Sequence, residues 1–231
     1  MTDGEHPTKD FLPKGRLEAF ADGVLAIVIT LLVLELKVPE LEGNESLLRA
    51  LADEWRSFAG YLISFVFVGG VWIAHSNATR LIARGDAILF RLNLLFLFFV
   101  SLLPFTTILM TDHLGDNSEA TAVAIYGLDL FIATLMLNAF IGYAADNDAL
   151  VADEVADHEL YAIVRQRRKL LGLQGAATVT AFLLPGVAIL LYLLSGVAFI
   201  VAPLLSARSS RSHPAGLRAR SQNAGEKEPP A

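Results

Sequence analysis

The sequence predicts an all-α integral membrane protein with six transmembrane helices in each chain. Three observations predict it. Hydrophobic residues make up 54% of the 231 positions and mean hydropathy is +0.52, an excess that a soluble domain of this size does not need. The apolar residues gather in runs long enough to cross a hydrocarbon core of about 30 Å. The basic residues gather between alternate runs, as they do in cytoplasmic loops.

Taken in order, residues 1–15 are polar and lack the apolar h-region of a cleavable signal, so they read as a cytoplasmic segment and the first span itself directs insertion. Apolar runs follow at Leu17–Leu36, Phe58–Ala74, Leu92–Met110, Ala120–Ala145 and Leu170–Leu205. The last would extend about 54 Å as one helix at about 1.5 Å per residue. Leu184-Pro185-Gly186 near its middle offers a turn, which divides it and brings the count to six. Lys9, Lys14 and Arg16 precede the first span, and Arg80 and Arg84 separate the second from the third. Arg165, Arg167, Arg168 and Lys169 precede the fifth, and Arg208, Arg211, Arg218, Arg220 and Lys227 follow the sixth. The loop Thr111–Glu119 and the Pro-Gly turn carry none; only Lys37, Arg49 and Arg56 dilute the contrast. Both termini therefore fall in the cytoplasm of a multi-pass plasma-membrane protein. The stretch Asp146–Lys169 opens acidic and closes basic, an order that suits a helix dipole and predicts a solvated helix feeding the fifth span. This gives a six-span domain over 16–206 and a disordered cytoplasmic tail over 207–231, rich in Ser, Arg, Pro and Gly.

Enzymatic chemistry finds no support. The chain has no cysteine, no Gly-rich phosphate loop, no His-Glu-x-x-His helix and no Gly-x-Ser-x-Gly elbow. No metal, cofactor or nucleic-acid partner is expected. His6, His113, His158 and His213 fall in loops or tails and read as surface residues. The Thr-Val-Gly-Tyr-Gly filter of ordinary potassium channels is also missing.

Asp22, Arg91 and Asp129 break the apolar rule inside spans, where an ionised side chain costs several kcal/mol. Arg91 and Asp129 read either as a proton or substrate relay or as a structural pair, with Asp129 alternatively neutral against a neighbouring helix. Trp72 and His75 close the second span and Asn93 opens the third, all near the cytoplasmic face with Asp22. Such a cluster can hydrogen-bond across three helices as a packing network, or sense pH if the imidazole is exposed or strongly coupled. In the first span Ile27, Leu31 and Leu34 share one stripe with Thr30 at its edge, while Asp22, Ile29 and Val33 lie opposite. By periodicity alone that stripe faces lipid, core or a water path. Glu35 at its outer end reads as a cation attractor or as an ordinary interfacial acid.

Arg16-x-x-x-Phe20-x-Asp22 with its apolar helix, Trp72-x-x-His75, and Leu92-Asn93-Leu94 running to Leu103-Pro104-Phe105 resemble the transmembrane protein 175 family of lysosomal and bacterial potassium channels. Most of the chain follows that family's span layout. Ala21 departs from it, standing where the Arg-x-x-x-Phe-Ser-Asp motif has serine. The resemblance implies a homotetramer in membrane lipid, with the first helix lining a central pore. It places Ile27, Leu31 and Leu34 in apolar rings at the constriction and Thr30 in a threonine layer tied to potassium preference, and it puts Arg16, Phe20, Asp22, Trp72, His75 and Asn93 in the motif and its supporting polar network. The implied activity is passive, potassium-selective conduction of monovalent cations. The alternatives are a proton-coupled secondary transporter using Asp129, Arg91 and His75, and a membrane scaffold using the acidic-to-basic helix.

Overall fold

The computed structural model describes residues 13–41, 46–152 and 157–211, the side chains of 157–166 and 202–211 excepted. The expectations for the leading segment 1–12, for the tail from 212, and for His6 and His213 lie outside the described residues; His158, expected in a loop, falls in the first turn of α6. Among the described residues all regular structure is helical: α1 (Lys14–Leu31), α2 (Leu47–Asp53), α3 (Trp55–Thr79), α4 (Ala87–Asp112), α5 (Glu119–Ala145), α6 (Asp157–Thr180) and α7 (Pro185–Arg211).

Local signals set the ends of these helices. Pro13 precedes α1 in an extended conformation, and α1 tightens into a 3₁₀ turn over Leu32–Glu35. Ser46 caps the short α2. Asp86 opens α4: one carboxylate oxygen accepts from the Leu89 amide at 2.8 Å and the other from the Tyr143 hydroxyl at 2.6 Å, so the same cap ties α4 to the end of α5. Pro104 sits inside α4, where it gives up one main-chain hydrogen bond.

Among the described residues four helices are each long and apolar enough to cross a membrane, over Lys14–Glu35, Trp55–Thr79, Ala87–Asp112 and Glu119–Ala145. Among the rest, α7 holds a shorter apolar run, Pro185–Val201, and α6 carries Arg165, Arg167, Arg168 and Lys169 near its middle. The expected break in the last apolar block is present. Helix α6 stops at Thr180, whose carbonyl accepts from Leu183 and Leu184, and α7 starts on Pro185, where a missing amide hydrogen costs nothing.

The solvated helix expected over Asp146–Lys169 is not a separate element. A 3₁₀ turn at Asp148–Leu150 and an antiparallel bridge between Val151 and Ile82 close the α5–α6 connection onto the α3–α4 loop. The basic segment then belongs to the same uninterrupted helix as the apolar residues after Leu170, because nothing between them breaks a helix.

Packing is most extensive between α4 and α5 and between α3 and α7, while α6 lies on α5 and α7. The α3–α7 contact needs small residues. A Cβ on Gly70 would lie 2.7 Å from that of Phe199 and 2.9 Å from the Gly196 carbonyl, so the two backbones approach as small-residue interfaces allow in membranes. The core runs through Phe67, Phe96, Phe140, Tyr126 and Tyr192. Helix α1 packs on α3 and α4 at the rim of this bundle.

Candidate functional site

Helix α1 divides into faces. Leu17, Ala21, Leu25, Val28 and Leu32, at intervals of three and four, are buried and form its seam with the bundle. The stripe facing away carries Phe20, Ile27, Thr30, Leu31 and Leu34, all exposed; Ile27 is 60% and Leu34 73% accessible. Ile29 is half-buried against the core, and Val33 is exposed on a flank between the two faces. The structure thus brings Ile27, Leu31 and Leu34 onto one open face.

Thr30 stands on that face with its hydroxyl turned to its own helix, 2.8 Å from the Ile27 carbonyl and 3.1 Å from that of Ala26. The hydroxyl proton is used by the main chain, as is common for threonine in a helix. The oxygen lone pairs remain as acceptors. A side chain arranged this way offers a cation or the hydrogens of its water an oxygen, and offers an anion little.

The motif residues separate into distinct contacts. Asp22 Oδ1 accepts a 2.8 Å hydrogen bond from Trp72 Nε1, tying α1 to α3. His75 Nε2 lies 2.8 Å from Asn93 Oδ1, tying α3 to α4. Both His75 and Asn93 are buried, and the imidazole is stacked between Phe96 and Phe140 with centroids 5.6 and 5.3 Å away. The ring is sealed from solvent and lacks exposure, one of the two conditions under which it would sense pH. Arg16 is exposed, and its side chain makes no hydrogen bond or ion pair among the described residues. Ala21 lies fully buried in the α1 seam, so the position that holds serine in the motif serves as a close helix contact here.

The relay of Arg91, Asp129 and His75 is not assembled. Asp129 is buried and accepts from the Thr106 hydroxyl at 3.0 Å. Arg91 is exposed near the start of α4, fifteen residues before Thr106, which is about 22 Å along a helix axis. His75 is engaged by Asn93. No hydrogen bond or ion pair joins the three among the described residues. A neighbouring set, Ser64 with Thr107 at 2.7 Å and with Tyr126 at 3.0 Å, gives α3, α4 and α5 a further polar tie.

Sequence reasoning placed Arg167 with the surface basic cluster and so missed its position. It is 7% accessible, and its Nη2 donates to the Ala74 carbonyl at 2.6 Å, one residue before His75. A helical wheel carried the signal. Arg167 shares a face with Gln174, seven residues on and also buried, whereas Arg168 and Lys169 are exposed. Outside the spans, Lys37 donates to Asp112 Oδ1 at 2.9 Å, a bond that raises its ammonium pKa. Among the described residues no group of His, Asp and Glu is arranged to hold a metal ion.

Comparison with known proteins places this geometry. The family model described as endosomal/lysosomal potassium channel TMEM175 matches residues 16–104. A Chamaesiphon minutus protein named a potassium channel is 37% identical over 199 residues, covering 85% of this chain and 95% of that one. A Streptomyces collinus protein, also named a potassium channel, is 40% identical over 126 residues, covering 54% of this chain and 61% of its own length. The crystal structure of a lysosomal potassium-selective channel TMEM175 homologue from Chamaesiphon minutus matches with a TM-score of 0.74 at 32% identity, covering 81% of this chain and 96% of that one.

Proposed function

The chain belongs to the TMEM175 family, and on that premise we propose that it is a potassium-selective cation channel, not an enzyme, in which α1 of four identical subunits surrounds a central path. The observation that carries the reading is the open stripe of α1. Its apolar residues and Thr30 face away from the bundle that holds the opposite seam, and membrane lipid alone would not call for a hydroxyl there.

In the proposed tetramer Ile27, Leu31 and Leu34 form stacked apolar rings with no ligand for a bare cation. An ion sheds part of its hydration to pass, and potassium holds its water less tightly than sodium. Thr30 oxygens soften the passage of the less hydrated ion, and a dry collar also closes by dewetting. Beside this collar the Asp22–Trp72 bond holds α1 to α3 and the His75–Asn93 bond holds α3 to α4. The channel domain spans residues 16–206 with six crossings, α6 and α7 completing the set, and both termini lie on the cytoplasmic side of the plasma membrane. The two apolar blocks divided at Pro185 and the basic residues between alternate spans support that topology. No cofactor is required; the ligand is the permeant ion.

Flux from liposomes under a potassium gradient tests the reading. The channel gives fast, uncoupled, voltage-driven potassium flux that exceeds sodium flux. Slow flux that stops when the proton gradient is collapsed would identify a transporter instead, and the dispersal of Arg91, Asp129 and His75 speaks against that outcome.

A further inference from the structure

A cavity of about 360 Å³ opens at the end of the bundle where α3, α5 and α7 begin and α4 ends, far from the Trp72–Asp22 contact near the other end of α3. Its size is that of a small-molecule site. Ile63, Met110 and Ile189 are among its apolar walls, and Gly186 borders open space, since a Cβ there would meet nothing within 4 Å.

Among the described residues two charged side chains line it, Arg56 and Glu119. Glu119 sits in the first turn of α5, where the helix dipole stabilises a carboxylate. Arg56 has no such support. It stands in the first turn of α3, where a cation is disfavoured. The nearby Glu54 carboxylate accepts from Ser57 at 3.1 Å, and among the described residues Arg56 has no acidic partner. Its guanidinium lies 5.9 Å from the Trp55 ring centroid and against the turn at Gly115, whose φ of +88° and lack of a side chain leave room for it. Apolar walls beneath a cation that makes no ion pair among the described residues, beside an amphipathic indole, match one kind of molecule.

We infer that this cavity binds a long-chain anionic amphiphile, its chain between α3, α4 and α7 and its acidic head on Arg56. A free fatty acid and an anionic phospholipid share that chemistry. The site is independent of which ion the channel passes.

The test uses the full chain in phosphatidylcholine vesicles and the two tryptophans it contains. Stearate brominated at mid-chain is titrated in, with unbrominated stearate as reference. The expected result is saturable quenching that Trp55→Phe removes. Arg56→Gln raises the half-saturating concentration about tenfold, the loss of one charge-assisted contact. Gly186→Leu, which fills the cavity, abolishes the saturable component; should that variant not fold, Ala59→Leu is used from the opposite wall. A parallel titration with brominated phosphatidylglycerol shows whether a phospholipid also enters: saturation by either amphiphile supports the site and identifies its source. Quenching that only rises in proportion to bromolipid content, equal to that from brominated phosphatidylcholine and unmoved by Arg56→Gln and the filling variant, overturns it.

Discussion

Ile27 and Thr30 differ in what each contributes to the proposed collar, so their substitutions separate. Ile27→Asn places an amide where dehydration was required and lowers the potassium-to-sodium permeability ratio roughly tenfold, ~1.4 kcal/mol of barrier difference. Thr30→Ala removes the oxygen and lowers the same ratio by a smaller factor. Reversal potentials under bi-ionic conditions check both, and an unchanged ratio in the two variants removes them from the filter. Asp22→Ala breaks the bond to Trp72 and weakens folding or assembly by about 1–3 kcal/mol while leaving ion preference in place. Thermal melts and gel-filtration yield measure that; a full yield of assembled protein with altered ion preference would reverse the assignment. Asp129→Asn keeps its size and its contact with Thr106, so selective flux persists. A loss of flux in that variant would return the proton-coupled reading.

Helices make the next scale, and here the sequence was legible in part. The first four spans and the Pro185 break show in hydropathy and turn residues because each is a local property. The open stripe of α1 was legible as a stripe but not as an exposed one, since period alone does not tell lipid, core and water apart. The extent of α6 was misjudged because charge and hydropathy divide it at Leu170 where backbone geometry does not. Arg167 was hidden for the same reason: its charge grouped it with its neighbours, while its face on the helix grouped it with Gln174. The relay failed because residues sharing a chemistry on two helices meet only if the register brings them together, and Asp129 meets Thr106. The α3–α7 seam gives a prediction at this scale. Gly70→Leu forces the helices apart at Phe199 and Gly196 and costs several kcal/mol, as overpacking at a backbone contact does. Loss of monodisperse protein on gel filtration is the expected outcome, and a normal elution profile with an unshifted melt would show that the seam yields.

At the scale of the whole molecule, one chain holds the bundle and leaves one side of its first helix uncovered. The proposed tetramer covers it with three more copies and turns the stripe inward. The native absence of cysteine makes this directly measurable. Single cysteines are placed at each position from 24 to 35 and exposed to a water-soluble, charged thiol reagent in liposomes while potassium flux is recorded. Modification at 27, 30, 31 and 34 is predicted to proceed readily and block the flux, with 25, 28 and 32 protected by the seam. Reagent-insensitive flux at 27, 31 and 34, with no reaction at those positions, would show that they face lipid and that the ions take another route.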